Sequence, residues 1–287
     1  MLEHGYVTIN GVRLHYVKDG KGKPIIFQHG YGQGWFQWAR QLNEFARDYT
    51  VVAFDLPGFN ESDKPADPEK YKMRNLLSYV TGLADHLQLA KFSLVAHNVN
   101  GLGWVYAAFF PERIEKLIII NAPHPNIADR EFRENPEQRK LSYYVPILES
   151  PGGEKLLSKD NYAFLREPFD ELKRDGKVTE EYYQQVMRVI STPGTLTALC
   201  NYYRANRARG MDNYAEPAKP LRPMMISMPT MVIWGMKDHA LGPGMLDGME
   251  QYVPDLSIKR FEEGTHQVLL EEQELVTMYI REFLTGK

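Results

Sequence analysis

The sequence predicts an α/β protein: a mostly parallel, twisted sheet flanked by helices, with an inserted helical cap. The apolar run Phe92 to Ala96, a sharp turn and an apolar segment from Gly101 to Phe110 are typical of a buried strand, a turn and a helix. Between about 127 and 228, strand-like runs vanish and charged, helix-like segments dominate. We therefore expect a first core segment at 1–126, a helical cap at 127–228 and a second core segment at 229–287.

Composition narrows the possible classes of function. The 287 residues are 43% apolar and 25% charged, enough for one large domain with an insertion. A net charge of -3 gives no electrostatic reason to bind nucleic acid or an anionic membrane. The single cysteine, Cys200, excludes an internal disulfide and a cysteine metal cluster. The sequence contains no apolar run of about eighteen residues, so it predicts no membrane span. Its N-terminus lacks the basic and apolar regions of a signal peptide. We expect a cytoplasmic chain, or a secreted or periplasmic one if a leader has been trimmed.

The remaining elements follow in order. Residues 6–17 alternate around Asn10-Gly11, which predicts a hairpin of two antiparallel edge strands. Pro24 to Gln28 and Thr50 to Phe54 are short buried strands, and the second leads into a Gly/Pro-rich loop. Asp55 in that loop is expected to shape it. Further elements are predicted as helices at about Met73–Leu87 and Glu271–Phe283, and as strands at Lys116–Ile120, Thr230–Trp234 and Ser257–Phe261.

The turn after the Phe92 strand carries a recognisable motif. The run A-H-N-V-N-G at 96–101 fits the pattern small-x-nucleophile-x-small-small and resembles the nucleophile elbow of the α/β-hydrolases. In the branch of epoxide hydrolases and haloalkane dehalogenases the elbow usually reads G-H-D-x-G-G. Asn98 replaces the aspartate and Asn100 replaces a glycine. The resemblance implies an α/β-hydrolase fold, with position 98 as the nucleophile.

Asparagine at the nucleophile position has a chemical consequence. A carboxamide oxygen is a far weaker nucleophile than a carboxylate, so the covalent step is expected to be impaired. One explanation is an engineered Asp-to-Asn change that traps a substrate complex. The other is a natural variant or a pseudo-enzyme.

Two further motifs complete a predicted triad. G-M-K-D-H at 235–239 resembles the family's acid turn, and E-G-T-H-Q at 263–267 resembles its histidine loop. The resemblance assigns Asp238 as the acid and His266 as the base, in the chain order of α/β-hydrolases. The competing histidines are His97, His124 and His239. His124 lies in N-A-P-H-P, a pentapeptide that resembles epoxide hydrolases, and it is expected to be structural because the general base is better placed elsewhere.

A loop near the N-terminus resembles the family's oxyanion loop. H-G-Y-G at 29–32 follows a buried strand, as the H-G-x-P loop does, with Gly32 where proline is usual. The resemblance places two backbone donors for the developing negative charge, the N–H groups of Tyr31 and Val99. Trp38 and His97 are expected to face the substrate.

Two tyrosines of the predicted cap match the spacing of the cap tyrosines of epoxide hydrolases. Tyr144 lies seven residues before Pro151, and Tyr203 lies in N-Y-Y-R. Phenolic O–H groups donate to the oxygen of an opening epoxide, which fits this role. Their neighbours Tyr143 and Tyr202 are the alternatives.

The chain also resembles a bacterial group of epoxide hydrolases in its H-G-Y-G-Q-x-W and N-Y-Y-R runs. That group takes its acid from the strand ending here at Asn121 and usually has histidine where Tyr144 stands. In the position of its acid and in Tyr144, this chain instead resembles the ordinary epoxide hydrolases.

The resemblance implies an epoxide hydrolase that forms vicinal diols through a covalent alkyl-enzyme ester and histidine-activated water. We expect a small-molecule epoxide substrate, no metal or organic cofactor, and a monomer or homodimer. A haloalkane or haloacid dehalogenase is an alternative, although those enzymes carry tryptophan or arginines where this chain has Val99 and Leu102. A non-catalytic α/β-hydrolase that binds a ligand or a partner is the other alternative.

Overall fold

The N-terminal hairpin forms around the predicted turn. In the computed structural model, which describes residues 2–206 and 221–286, β1 (Glu3–Ile9) pairs antiparallel with β2 (Val12–Asp19). Asn10 and Gly11 have φ of 51° and 75°, the left-handed backbone that a two-residue hairpin turn requires.

The hairpin extends an otherwise parallel sheet of eight strands in the order β1-β2-β4-β3-β5-β6-β7-β8. Among the described strands, β1 and β8 form the two edges. The prediction of two edge strands in the hairpin is therefore wrong for β2, which also pairs antiparallel with β4 through Tyr16 opposite Phe54. The remaining strands are β3 (Lys23–Gln28), β4 (Tyr49–Phe54), β5 (Phe92–His97), β6 (Ile114–Ile120), β7 (Thr230–Gly235) and β8 (Leu256–Phe261).

Helices cover both faces of the sheet because its strands are apolar on both sides. Along β5, Leu94 and Ala96 join one buried cluster and Val95 joins another, as the two-residue period of a strand dictates. The helices that follow the strands are α1 (Ala39–Phe45), α2 (Met73–His86), α3 (Leu102–Phe109), α10 (Val268–Glu271) and α11 (Gln273–Thr285).

The described residues between β6 and β7 form helices joined by loops, and no strand. It contains α4 (Pro125–Glu134), α5 (Pro136–Leu141), α6 (Val145–Glu149), α7 (Gly153–Arg174), α8 (Glu180–Ser191) and α9 (Thr195–Ala205). The backbone of α7 leaves the helical conformation between Lys159 and Tyr162. Residues 207–220 of the predicted cap lie outside the described residues. No described helix is long and apolar enough to cross a membrane.

Four side chains lie together at the carboxyl ends of the parallel strands. Asn98, Asn121, Asp238 and His266 follow β5, β6, β7 and β8 in turn, and these strands are parallel neighbours. The carboxyl ends of parallel strands open on the same side, which is where open α/β sheets bind their ligands.

Candidate functional site

Asn98 stands on a strained turn between β5 and α3. Its φ of 51° and ψ of -128° lie outside the regions that L-residues ordinarily occupy. The Asn98 N–H donates to the carbonyl of Ile120 on the neighbouring strand at 3.2 Å. Such a turn holds the side chain away from the sheet, and a non-glycine residue with this backbone indicates a functional position.

Small residues allow the turn to be tight. Gly101 has a φ of +66°, and an added Cβ at Gly103 would lie 2.7 Å from the Cβ of Ala96 and 2.8 Å from Cδ1 of Ile119. Helix α3 therefore packs directly on β5 and β6. This close packing fixes the position of Asn98 relative to the sheet.

Asn98, His266 and Asp238 form a continuous hydrogen-bonded chain. His266 Nδ1 donates to Asp238 Oδ2 at 2.6 Å, which leaves Nε2 with its lone pair. The Asn98 carboxamide Nδ2 donates to that Nε2 at 2.7 Å. The three residues predicted as a triad are thus in contact in the predicted order.

The Asp238 carboxylate is held by groups from three elements. Besides His266, its Oδ2 accepts from the Asn121 amide at 2.7 Å, and its Oδ1 accepts from the N–H groups of Ala240 and Leu241 at 2.8 and 3.0 Å. Asn121 is itself fixed, because its Oδ1 accepts from the Gly235 N–H at 3.0 Å. The carboxylate is therefore rigid and oriented towards His266.

Burial and charge act in opposite directions on this pair. Burial opposes the charged form of both groups, raising the pKa of Asp238 and lowering that of His266. Their mutual attraction and hydrogen bond outweigh burial. The pKa of Asp238 is lowered below its ordinary value and the pKa of His266 is raised above 6.5. Asp238 is thus a permanent carboxylate that favours a proton on His266.

The loop of the predicted oxyanion donors lies against the elbow. An added Cβ at Gly30 would lie 2.5 Å from His97 Nδ1, so only glycine permits this approach. Gly32 has a φ of +72°, a value that proline cannot adopt, which explains the absence of the family's proline here. The Tyr31 ring stacks on that of Tyr203, with ring centroids 5.5 Å apart, and lines the cavity.

Gln37 connects this loop to the elbow. Its Oε1 accepts from the Gly30 N–H at 2.8 Å and its Nε2 donates to His97 Nδ1 at 2.7 Å. His97 in turn donates from Nε2 to the backbone carbonyl of His266 at 3.1 Å. Burial lowers the pKa of His97 to about 3, so this ring is neutral and holds the His266 loop in place. Although it lines the cavity as expected, His97 is engaged by the protein on both ring nitrogens.

The prediction that Trp38 faces the substrate does not agree with the structure. Trp38 is completely buried and packs on Phe27, with ring centroids 5.2 Å apart, in the cluster on the other face of the sheet. It does not line the cavity. Its neighbour Gln37 points to the site instead, because successive residues of the 3₁₀ turn Trp35–Trp38 face different directions.

Tyr144 and Tyr203 line the same cavity as Asn98 and His266. Burial raises the pKa of both tyrosines, so both phenols carry their protons at neutral pH. The two rings also contact each other edge to face, with centroids 6.3 Å apart.

The two neighbouring tyrosines occupy different environments. Tyr202 is fully buried and donates to the carbonyl of Pro57 at 2.9 Å, so it fixes α9 to the loop after β4. Tyr143 lies at the cavity but is 60% exposed. Burial and hydrogen bonding thus distinguish Tyr203 from Tyr202, and exposure distinguishes Tyr144 from Tyr143.

Asn100 plays a part that motif reasoning did not assign. Its Oδ1 accepts from the Tyr31 hydroxyl at 2.8 Å and its Nδ2 donates to the carbonyl of Tyr202 at 2.9 Å. The residue that departs from the glycine of the elbow pattern therefore joins the elbow to the oxyanion loop and to α9. The departure itself was the signal that could have identified it.

Two other residues with expected structural roles lie away from the cavity. His124 is buried, donates to the carbonyl of Met224 at 3.0 Å and stacks on Tyr252. Burial lowers its pKa to about 4. Asp55 accepts from the Trp35 N–H at 2.7 Å and from the Asn60 amide at 2.9 Å, which holds the loop after β4 in shape.

The cavity has a volume of about 700 Å³, ample for a substrate of drug size. Its polar end is formed by Asn98, His266, Tyr144 and Tyr203. An apolar part is contributed mainly by the helices between β6 and β7, and charged side chains such as Glu167, Glu171 and Lys177 also line the cavity. The apolar lining residues are Leu141, Leu148, Phe164, Leu165, Phe169, Leu172 and Leu199.

Comparison with known proteins agrees with this architecture. Residues 23–273 match the family described as alpha/beta hydrolase fold. The chain is 32% identical to epoxide hydrolase 4 of Mus musculus over 293 residues, which cover 98% of this chain and 79% of that protein. It is 30% identical to the AB hydrolase superfamily protein YfhM of Bacillus subtilis, over 98% of each chain.

A solved structure is similar over nearly the whole chain. It is a mutant of an epoxide hydrolase from Bacillus megaterium complexed with its product, a naphthyloxy-propane-1,2-diol. The TM-score is 0.90 at 32% identity, covering 98% of this chain and 100% of that chain. The similarity thus includes the helices between β6 and β7 as well as the sheet.

Proposed function

Since this chain belongs to the alpha/beta hydrolase fold family, and within it to the epoxide hydrolases, we propose that its cavity converts epoxides to vicinal diols when position 98 is an aspartate. The observation that carries this proposal is the hydrogen-bonded chain Asn98–His266–Asp238, which shares one cavity with Tyr144 and Tyr203. In this proposal a cap spans 127–228 and includes α5 to α9 and all but the first two residues of α4.

In the first step a carboxylate at position 98 attacks an epoxide carbon and the C–O bond of the ring breaks. The electron pair of that bond goes to the epoxide oxygen, which becomes an alkoxide. Tyr144 and Tyr203 donate hydrogen bonds to this oxygen and supply its proton. Their raised pKa values keep both O–H groups available as donors. The product of this step is an alkyl ester on residue 98.

In the second step water hydrolyses that ester. His266 takes a proton from the water, and Asp238 stabilises the resulting imidazolium. The N–H groups of Tyr31 and Val99 stabilise the oxyanion that forms on the ester carbonyl. The tetrahedral intermediate then expels the diol oxygen, which takes the proton from the His266 imidazolium. The carboxylic acid left at position 98 returns its proton to the tyrosinate, which restores the carboxylate and the phenol. The reaction as proposed uses only side chains and backbone groups of this chain.

Asn98 impairs both steps of this cycle, the attack on the epoxide and the activation of water. Its carboxamide is a poor nucleophile, and its N–H occupies the Nε2 lone pair of His266 that would activate water. We propose that the chain with Asn98 binds substrate and does not turn it over.

For the substrate class we propose epoxides with an aryloxy or similarly sized apolar substituent. The side chains of Phe164, Leu165 and Phe169 offer an apolar surface beyond the polar end of the cavity. The similar Bacillus megaterium enzyme was solved with a naphthyloxy-propanediol as its product, which is a molecule of this kind.

A non-catalytic binding protein is the second candidate, and one observation favours it. Asn98 Nδ2 donates to His266 Nε2 at 2.7 Å, a hydrogen bond that serves no step of the proposed cycle. A dehalogenase is disfavoured, because Val99 and Leu102 are buried apolar side chains where those enzymes have groups that bind a halide or a carboxylate.

The test compares this chain with Asn98→Asp for diol formation from aryloxy and small epoxides, with halide release from haloalkanes and haloacids measured in parallel. We expect diol from Asn98→Asp alone. Asn98→Ala is the matched control, since it removes the amide without supplying a nucleophile. Halide release without diol formation would replace the proposal by dehalogenation. No product of either kind from a folded Asn98→Asp would favour the binding protein.

A further inference from the structure

Three side chains with metal-binding atoms meet outside the catalytic cavity. In the hairpin register Tyr6 stands opposite His15, so His4, two residues earlier on β1, lies on the same face of the sheet as His15. Glu61 approaches this face from the loop after β4. Among the described residues, these three form the one group of histidine, cysteine and acidic side chains close enough to share a metal ion.

Their ligand atoms are already near the spacing that a metal ion requires. His4 Nδ1 lies 2.9 Å from His15 Nε2, and His15 Nε2 lies 4.0 Å from Glu61 Oε2. All three ligand atoms lie within 4.8 Å of one another. Tetrahedral Zn²⁺, with bonds of about 2.0–2.2 Å, separates its ligand atoms by roughly 3.3 Å. His4 and Glu61 are exposed and can make this small adjustment by side-chain rotation.

The buried member of the group is oriented as in many metal sites. His15 is fully buried, and its Nδ1 donates to the buried carboxylate of Asp55 at 2.7 Å. This hydrogen bond assigns the proton to Nδ1 and leaves the Nε2 lone pair directed at His4 and Glu61. A carboxylate that fixes the tautomer of a metal-binding histidine is the usual arrangement around such ligands.

The local charge also favours a cation. Asp55 and Glu61 place two carboxylates around His15, and within the described parts of the chain no lysine or arginine forms an ion pair with either. The nearby Arg13 stacks on the Tyr6 ring and pairs with Asp63 instead. A divalent ion would balance both carboxylates.

We propose that His4, His15 and Glu61 bind a divalent first-row transition-metal ion such as Zn²⁺, with the fourth position open to water. The ion joins β1, β2 and the loop after β4, which are otherwise linked here by hydrogen bonds. The sequence predicted no metal site because its ligands are distant in the chain and belong to no motif. This site is independent of the proposed hydrolase activity.

The alternative is a network of hydrogen bonds alone. His4 and His15 hydrogen-bond to each other, and Tyr6 donates to Glu61 Oε2 at 2.5 Å. In that case zinc has no specific affinity for these residues. The two possibilities differ in a quantity that can be measured directly.

The experiment is calorimetric titration of ZnCl2 into the full chain, purified without a histidine tag, together with the thermal midpoint at saturating zinc. We expect one ion per chain and a raised midpoint, and no binding of Mg²⁺, which prefers oxygen ligands. His4→Ala is expected to weaken zinc binding at least about tenfold, since it removes a ligand whose side chain is exposed. Glu61→Gln is expected to weaken it in the same direction.

Two controls identify where the zinc binds. His86→Ala removes an imidazole next to Tyr16 on the opposite face of β2, and His266→Ala removes the imidazole of the cavity. Both variants are expected to bind zinc as the parent chain does. Absence of binding by the parent chain, unchanged binding by His4→Ala, or loss of binding in His266→Ala would each overturn the proposal.

Discussion

The Asn98 carboxamide has nearly the shape of a carboxylate, but it donates a hydrogen bond to His266 where a carboxylate could only accept one. It donates to His266 Nε2 at 2.7 Å, whereas an aspartate at the same position has no N–H to donate. With aspartate, the lone pair of Nε2 becomes available to accept a proton from water. A single side-chain substitution therefore changes both the nucleophile and the state of the base.

The cap tyrosines can be tested separately from the triad. In the Asn98→Asp background, Tyr144→Phe and Tyr203→Phe are each expected to lower kcat/KM for epoxides, and the double variant to lower it by about 10²–10⁴-fold. The reason is that the alkoxide loses its donors in the ring-opening step. Tyr143→Phe is the matched control, because that side chain lies at the same cavity but is 60% exposed. An equal loss in Tyr143→Phe would contradict the assignment.

The state of His266 predicts a pH dependence. The covalent ester at position 98 is uncharged, as the Asn98 carboxamide is, so Asp238 remains the main charge acting on His266 and raises its pKa above 6.5. Water activation needs the neutral imidazole. For Asn98→Asp we expect kcat to fall as the pH decreases through a value above 6.5, and to be constant on the alkaline side of that value.

The measurement is the pH profile of kcat at saturating epoxide. In Asp238→Asn the raising effect of the carboxylate is lost, so the acidic limb of the remaining activity should move to lower pH. An acidic limb centred below 6.5 in the parent Asn98→Asp variant would show that another group controls this step.

At the scale of elements, the position of Asn98 depends on how closely α3 packs against β5 and β6. Gly103→Ala would place a Cβ 2.7 Å from that of Ala96, and we expect it to lower the free energy of unfolding by about 1–3 kcal/mol. Helix propensity alone would favour alanine by about 1 kcal/mol, so a net loss reports the clash. The measurement is urea denaturation.

Gly152→Ala is the control for this substitution. An added Cβ at Gly152 meets only Ser150 Oγ, at 3.4 Å, and the backbone φ of -86° is ordinary. We expect this variant to be as stable as the parent chain or slightly more stable. Equal stability of the two alanine variants would mean that α3 can move away from the sheet without loss.

For the whole molecule, apolar patterns in the sequence predicted an α/β protein with a mostly parallel sheet, and the resemblance of its motifs implied the α/β-hydrolase fold. Strands buried on both faces are continuous apolar runs, and tight turns restrict residue type. Both features can therefore be recognised in the sequence alone. Long-range pairing is not visible in this way, which is why β2 was wrongly predicted to be an edge strand.

The same distinction applies to the site. Asn98, Asp238 and His266 follow successive parallel strands, so their proximity follows from the topology. Trp38 was misplaced because an apolar side chain near a site suits the core equally well. Gln37 escaped notice because a buried amide belongs to no motif, and its two hydrogen bonds are known only from the folded chain.

The contact between Asn121 and Asp238 has an evolutionary consequence. The two side chains end neighbouring strands and meet at 2.7 Å, so a carboxylate at position 121 would lie beside the place of the one at position 238. A lineage can therefore transfer the acid from β7 to β6 by two single substitutions. The intermediate, with aspartate at both positions, shares one proton between two carboxylates and never lacks an acid.

Moving the acid from position 238 to position 121 can be tested by measuring diol formation. In the Asn98→Asp background, Asp238→Asn should lose most diol formation, and adding Asn121→Asp should recover a measurable part of it. Failure to recover activity in a folded double variant would mean that Asn121 cannot support His266. If activity returns, the acid can move from one strand to its neighbour while the chemistry of the site is retained.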